Sequence, residues 1–243
     1  MKCLVTAGNT QVMLDQVRCI TNIFSGKTGT RIALELQKRG HEVVLLTSTP
    51  DRLDTTASHG NPGSSITVKT YRTYDQLASL MKSEITNRSF HAVIHSAAVS
   101  DFLAGGIYTP QKGSSFSEKQ LQWEAEAGKP QMRDVAAGKV KSHHGELWVR
   151  LVKAPKLIDL IRQPWNFQGK LVKFKLEVGV SQHELQSIAE ASRLQSKADW
   201  IIANTLEGMH DWALLGPLNN SYQKVTRSDL SSRLVDCLEL SES

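Results

Sequence analysis

Apolar residues in the first hundred positions fall into short blocks separated by amphipathic stretches. Residues 2–7 (Lys-Cys-Leu-Val-Thr-Ala) and 42–48 (Glu-Val-Val-Leu-Leu-Thr-Ser) are apolar runs too short for a core helix, which predicts buried strands. Residues 91–96 predict another buried strand and residues 65–71 a further one. Between them, residues 26–39 and 74–87 carry helical periodicity, and Gly40 closes the first helix. Residues 51–64 are rich in Asp, Ser, Gly and Pro and read as a loop. This βαβ rhythm predicts a parallel sheet covered by helices on both faces, with right-handed crossovers.

The second half changes character. Residues 103–138 hold Gly105-Gly106, Pro110, Gly113, Gly128 and Pro130 among polar filler, which predicts a long irregular segment, a flap or a mobile loop. Residues 146–152 alternate like a strand with one solvated face, and residues 155–162 suit a short helix. A strand at 170–176, a helix at 181–196, a strand at 199–204, a hairpin near Asn219-Asn220 and a closing helix at 228–240 complete the chain. The fold class is therefore α/β: one Rossmann-like, three-layer α/β/α domain over residues 1–243. It has a mostly parallel central sheet and a flap insertion at about 103–145.

Composition narrows the function classes. With 243 residues and 40% hydrophobic content the chain builds a proper core. The net charge of +5 is scattered, with no dense Lys/Arg run, which argues against nucleic acid and suits small anionic ligands. No apolar run nears the roughly 20 residues needed to span a bilayer, so no membrane association is expected. Met1-Lys2 leads straight into a core strand without a signal peptide, so the expected location is the cytoplasm. Cys3, Cys19 and Cys237 are widely spaced and form neither a CxxC pair nor a metal spacing. His91 and His95 lie four apart in a strand, roughly 13 Å between side chains, too far to share a metal. No G-x-S-x-G elbow occurs, and the one Tyr-x-x-x-Lys spacing, Tyr108 to Lys112, spans Pro110, which excludes the helical pair of a dehydrogenase.

The candidate chemistry lies at predicted strand ends. After the strand closing on Gly8, a loop with Arg18 and Asn22 leads to Ser25-Gly26-Lys27-Thr28-Gly29 at a helix start. Unpaired amides there attract phosphate, and glycine lets an anion approach. The same pattern also fits an ordinary strand–loop–helix connection with glycine for packing. The Walker A match fails upstream, where Thr21 stands in place of the first glycine, and no acidic residue closes the second strand, so dinucleotide chemistry is disfavoured. Ala97-Ala98-Val99-Ser100-Asp101-Phe102 follows another strand, with small residues beside a carboxylate that either binds or merely caps a turn. Lys139, in Gly138-Lys139-Val140-Lys141, is either a charge-neutralising flap lysine or a solvated one. Phe174 offers a face for a base to stack on and Asn204 a hydrogen-bonding amide, although a strand Phe is more often core.

Taken in order, these motifs resemble phosphopantothenoylcysteine synthetase. The likeness rests on Thr6-Ala7-Gly8, Val17-Arg18, Thr21-Asn22, Ser25-Gly26-Lys27-x-Gly29 and Ala97–Phe102. It continues through Lys139-Val140, Val152-Lys153-Ala154-Pro155-Lys156-Leu157, Phe174–Glu177 and Ala198-Asp199-x-Ile201-Ile202-Ala203-Asn204, and it spans residues 2 to about 235. The resemblance is to the stand-alone form, in which no flavin-binding decarboxylase domain is expected ahead of this one. The resemblance implies a ligase of coenzyme A biosynthesis that joins 4′-phosphopantothenate to cysteine through an acyl-nucleotide. It further implies CTP or ATP as co-substrate, CTP being favoured, Mg2+ held mainly by the nucleotide phosphates, and a homodimer. Asn22, Lys139 and Arg18 correspond to the family's catalytic residues, Arg18 reaching the substrate of the partner subunit. Ala97, Ala98 and Asp101 would line the substrate pocket, Asp101 and Lys139 also serving the nucleotide. Gly8, Ser25, Gly26, Lys27 and Gly29 would hold phosphates, and Phe174 and Asn204 the base.

The chain departs from the family at Asn9, where Gly is usual, at Val12, usually acidic, and at Phe24, usually Ser; Arg193 and Lys197 are each displaced by one. Asn tolerates positive φ, so the turn at Asn9 is expected to survive. An ATP-dependent member and a nucleotide- or flavin-binding homologue without ligase activity are the competing readings.

Overall fold

The computed structural model describes residues 1–53 and 65–240. In chain order the elements are β1 (Lys2–Ala7), β2 (Gln11–Met13), β3 (Cys19–Thr21), α1 (Lys27–Lys38), β4 (Glu42–Thr47), β5 (Ser65–Thr70), α2 (Tyr74–Asn87), β6 (Ala92–His95) and β7 (Phe102–Pro110). There follow β8 (Ser114–Ser117), β9 (Gln122–Ala125), β10 (Met132–Asp134), β11 (Trp148–Lys153), α3 (Leu157–Arg162) and β12 (Lys170–Glu177). The last elements are α4 (Gln182–Gln195), β13 (Trp200–Thr205), β14 (Trp212–Leu218), β15 (Ser221–Thr226) and α5 (Leu230–Leu240). The loop expected at 51–64 lies, from residue 54 on, outside the described residues; residues 50–52 form a 3-10 turn.

Local sequence explains the helix starts. Thr73 accepts from the Gln76 amide while the Gln76 side chain bonds the Thr73 amide, a reciprocal cap that fixes the start of α2. The Ser181 side chain likewise accepts from the Glu184 amide at the start of α4. Asn219 and Asn220, with φ of 48° and 63°, make the tight turn joining β14 to β15 as the sequence indicates.

By internal contacts the described chain falls into two compact units. The first comprises residues 1–10, 23–99 and 156–243, and the second residues 11–22 and 100–155. The first unit holds an eight-stranded sheet in the order β15-β14-β13-β12-β6-β1-β4-β5, parallel from β5 to β13 and antiparallel beyond. Residues 43 and 45 of β4 face one core cluster with α1 and α5, where Ile32, Ala33, Leu36, Leu234 and Leu238 are buried. Strand side chains alternate between faces, and on the other side α4 packs Leu185 and Ala189 on Ile201, Ala203 and Leu214, while α2 packs on β4 and α3. The expected α/β architecture with a mostly parallel sheet is therefore present. In this order the direction of winding reverses between β1 and β6. Loops leaving their carboxyl ends diverge, and a crevice opens at that point.

The second unit corrects the sequence reading at 103–138. Residues 102–110, 114–117, 122–125 and 132–134 are short antiparallel strands rather than an irregular segment. Glycine and proline misled because here they shape strands instead of ending them. Gly106, at φ 144°, sits in β7 opposite the point where the pairing with β11 shifts register between Val149 and Leu151. Residues 11–13 and 19–21 also pair, as a two-stranded ribbon too short for a periodic signal. Phe116, Trp123 and Trp148 pack with centroids 4.7–5.4 Å apart, two of the pairs edge-on and Phe116–Trp148 tilted, and give this small unit its aromatic centre.

One polar cluster is buried in the large sheet. His95 Nδ1 and Thr6 Oγ1 lie 2.9 Å apart, and the Ala97 amide donates to the same hydroxyl oxygen at 3.1 Å. Lys173, level with His95 on the next strand, donates from Nζ to Ser192 O at 2.8 Å and Ser196 Oγ at 3.0 Å. Burial, helped by Lys173, pushes His95 down to about 4, and burial brings Lys173 down to about 8 against the pull of Asp159.

Two outcomes follow for stability. A Cβ on Gly29 would lie 2.8 Å from Ala7 Cβ and 2.9 Å from Thr6 O, whereas one on Gly145 meets nothing within 4 Å. Gly29→Val is expected to cost on the order of 1–3 kcal/mol in urea denaturation, with Gly145→Ala close to unchanged. Equal effects would contradict the packing. In the unfolded chain His95 titrates near its ordinary 6.5 and in the fold near 4. Between those values only the unfolded chain takes up the proton, and acidification removes stability. The urea midpoint should fall from pH 7 to pH 5, and less steeply in His95→Gln; parallel pH curves would remove His95 as the cause.

Candidate functional site

The site begins where α1 presses on β1. Gly26 is the N-cap of α1 with φ 78°, and Gly8, directly after β1, has φ 96°. A Cβ on Gly26 would lie 2.3 Å from the Gly8 amide nitrogen, so the two glycines meet backbone to backbone. The positive φ falls on Gly8, so the turn does not draw on the tolerance of Asn9 for that region. Asn9 instead accepts, at its Oδ1, a bond from Ser48 Oγ at 3.3 Å, while its amide donates to the same hydroxyl at 2.9 Å. No side chain caps α1, and its first-turn amides open toward the crevice.

Neighbouring strand ends are locked to this turn. The Ala98 amide donates to Gly8 O at 2.8 Å, and the Thr10 amide to Ala98 O at 3.2 Å, which closes the β1 and β6 loops together. Tyr71, buried, donates its hydroxyl to Ala7 O at 2.7 Å, and Thr49 Oγ1 donates to Ser25 O at 3.0 Å. Burial raises the Tyr71 phenol well above its ordinary range, so it stays a donor.

A cavity of about 440 Å³ lies at this edge of the first unit. Gly8, Ser25, Gly26, Lys27, Ala97, Ala98, Phe174 and Asn204 all line it, so eight of the residues singled out from sequence converge there. Phe24 lines it too, and the departure from serine places an aromatic wall where a hydroxyl would be. Gly29 does not line it; its missing side chain is occupied by β1, so it sets helix–strand packing. Thr28, Arg31, Lys175, Leu176, Met209, His210 and Arg227 complete much of the wall without having been assigned from sequence. Lys175 and Leu176 follow Phe174 at the carboxyl end of β12, in the motif Phe174–Glu177. Arg31, one turn into α1 from Lys27, was legible from helical spacing, whereas Arg227 lies two hundred residues from Lys27 and only the fold joins them. Lys175 pairs with Glu177 at 2.8 Å. Arg193 is committed to Glu190 at 2.7 Å and to Ala198 O at 2.9 Å, and neither it nor Lys197 reaches the lining.

Arg18, Asn22, Asp101 and Lys139 belong to the second unit. Arg18 donates from Nε and Nη2 to Asp15 Oδ2 at 3.0 and 2.6 Å and from Nη2 to Val140 O at 2.8 Å. The buried Asp15 carboxylate also accepts from the Val17, Arg18 and Val140 amides at 2.9, 2.8 and 3.1 Å. Arg18 first, and those amides with it, hold the Asp15 carboxyl well below the usual carboxylate range against the effect of burial. The Gln16 amide binds Gly138 O at 3.0 Å, so Lys139 is an exposed residue on a segment pinned from both sides. Sequence reading missed Asp15, whose role shows only in its hydrogen bonds. Asn22 is half-buried, and Asp101 is exposed, its carbonyl accepting from the Ala154 amide at 2.8 Å.

The family model of the DNA/pantothenate metabolism flavoprotein C-terminal domain matches residues 1–126. The coenzyme A biosynthesis bifunctional protein CoaBC of Thermococcus kodakarensis is 30% identical over 248 residues, covering 98% of this chain and 51% of that protein. Its Methanocaldococcus jannaschii counterpart is 25% identical over 205 residues, 84% of this chain and 40% of that one. The chain thus spans about half the length, or less, of these curated relatives. The crystal structure of the DNA/pantothenate metabolism flavoprotein from Streptococcus pneumoniae superposes with a TM-score of 0.75 at 28% identity over 99% of both chains. A Cab2 mutant in complex with phosphopantothenate-cysteine shares the fold, with a TM-score of 0.69 at 17% identity over 98% of this chain and 86% of that one. By that match over more than half its length, this chain belongs to the DNA/pantothenate metabolism flavoprotein C-terminal domain family, the one to which its strand-end motifs pointed.

Proposed function

We propose that the chain is a phosphopantothenate–cysteine ligase of coenzyme A biosynthesis, using CTP in preference to ATP. The observation that carries this reading is the cavity, in a chain of this family. It gathers the uncapped start of α1 with Lys27 against β1, and Phe174 and Asn204 on β12 and β13, two and three strands along the sheet. That arrangement suits a nucleotide, phosphates at the start of α1 and base at Phe174 and Asn204. The Cab2 structure, which holds phosphopantothenate-cysteine, supports the same product for this chain.

In the first step a carboxylate oxygen of phosphopantothenate attacks the α-phosphorus; the bond to the bridging oxygen breaks and pyrophosphate leaves. In the second, the cysteine amine attacks the acyl carbonyl, the nucleoside monophosphate departs, and the amine loses a proton to solvent. Gly8, Ser25, Gly26, Lys27 and Gly29 hold or shape the phosphate end, and Ala97 and Ala98 leave room for the substrate. Asn22 contacts phosphopantothenate and steadies the developing oxyanion, Lys139 neutralises charge, and Asp101 orients substrate and nucleotide. Arg18 serves the active site of the partner in a homodimer. The cavity lining contains no carboxylate, and among the described residues no three metal-ligating side chains cluster. Mg2+ would then be held mainly by the nucleotide phosphates.

The purified protein should release pyrophosphate only with CTP, magnesium and phosphopantothenate together, and mass spectrometry should find the acyl-CMP when cysteine is withheld. Silence with both CTP and ATP would sink the reading; release with ATP alone would replace the nucleotide. Asn22→Ala should keep its circular dichroism spectrum and melting temperature while kcat drops about 100-fold or more. Turnover near the parent's would take Asn22 out of the chemistry.

A further inference from the structure

We infer that Arg227, together with Arg31, grips the terminal phosphates of the cavity's ligand and the pyrophosphate cut from it, so that the site selects ligands by the length of their phosphate chain. This deepens the nucleoside triphosphate reading and rests on it. Lys27, Arg31 and Arg227 all line the cavity. Among the described residues none of the three has a carboxylate at ion-pair distance, whereas Lys175 nearby pairs with Glu177, and Arg39, Arg162 and Arg193 elsewhere are all paired. Three unneutralised cations, Arg227 reaching the first turn of α1 that carries Lys27, in a cavity lined by no acidic residue make a place for a polyanion rather than for a single charge.

Arg227 is built into that place. It follows the last residue of β15, and its amide donates to Asp211 O at 2.9 Å, which ties it to the turn carrying Met209 and His210. Its guanidinium, half-buried, donates from Nη2 to the Thr28 hydroxyl in the first turn of α1. Burial first, and Arg31 second, oppose its charge. Two guanidinium groups held close in a partly dry site repel until an anion lies between them, and their planar forks match phosphate oxygens two at a time. When the bond between the α-phosphorus and the bridging oxygen breaks, the electron pair goes to pyrophosphate. Fixed guanidinium charges meet that added charge without any proton transfer. Phe174, on β12, is indifferent to phosphate count.

The test is calorimetric titration of the protein with inorganic pyrophosphate and with CMP, in parallel with Arg227→Met, Arg227→Lys and Arg31→Met. The expected result is pyrophosphate affinity weakened roughly 10- to 100-fold in both methionine variants, less in the lysine variant, with CMP affinity within about twofold of the parent. Unchanged pyrophosphate affinity, an equal loss for CMP, or no pyrophosphate binding by the parent protein would overturn the assignment. Should Arg227→Met fail to fold, Arg227→Lys and Arg31→Met give the same reading. Failure of the ligase reading shows separately, as absent turnover in a parent protein that still binds pyrophosphate.

Discussion

The first turn of α1 lies so close to β1 that no side chain fits between Gly26 and Gly8 or between Gly29 and Thr6–Ala7. Everything at the site depends on this approach. It sets the helix start against the carboxyl end of the sheet at the point where the winding reverses, and there the parallel topology already opens a crevice. The surrounding hydrogen bonds, from Tyr71 to Ala7, from Ala98 to Gly8 and between Ser48 and Asn9, fix the backbone that the glycines leave unprotected. Rigid support of this kind is what a binding backbone needs, because amides that wander cannot meet phosphate oxygens at fixed distances.

Charge is handled oppositely in the two units. In the second, the single buried carboxylate of Asp15 gathers Arg18 and three backbone amides, so positive charge is neutralised within the unit and converted into local order. In the first, Lys27, Arg31 and Arg227 line the cavity with no acidic partner among the described residues, while Lys175 beside them and Arg39 and Arg162 elsewhere are paired. Folding alone gives no reason to collect like charges. Their position records a ligand rather than a stability device, at a cost in self-repulsion that binding relieves.

The parallel sheet was legible because strands buried on both faces read as short apolar runs and helices as a 3.6-residue stripe. β1, β4, β6, β12 and β13 all fall where the pattern indicates. The strands of the second unit were not legible: three- and four-residue segments such as β2, β3 and β10 hold too few positions for a period to show. Gly105-Gly106 and Pro110 disguised β7 as a loop. Among site residues, those at the ends of buried strands, Gly8, Ala97, Phe174 and Asn204, could be placed from sequence because topology sends parallel strand ends to one edge. Arg227 and Asp15 could not, since their importance lies in which distant groups surround them.

The second unit is assembled from two pieces of chain, residues 11–22 and 100–155, and β2 packs on β7 across that gap in sequence. The polypeptide therefore passes from one unit to the other four times. Such a unit cannot be excised, grafted or traded between relatives as one cassette, because moving residues 100–155 alone would strand the ribbon that carries Asp15 and Arg18. Recombination within this family must keep both pieces from the same parent, and sequence drift in one piece constrains the other even though nearly eighty residues intervene.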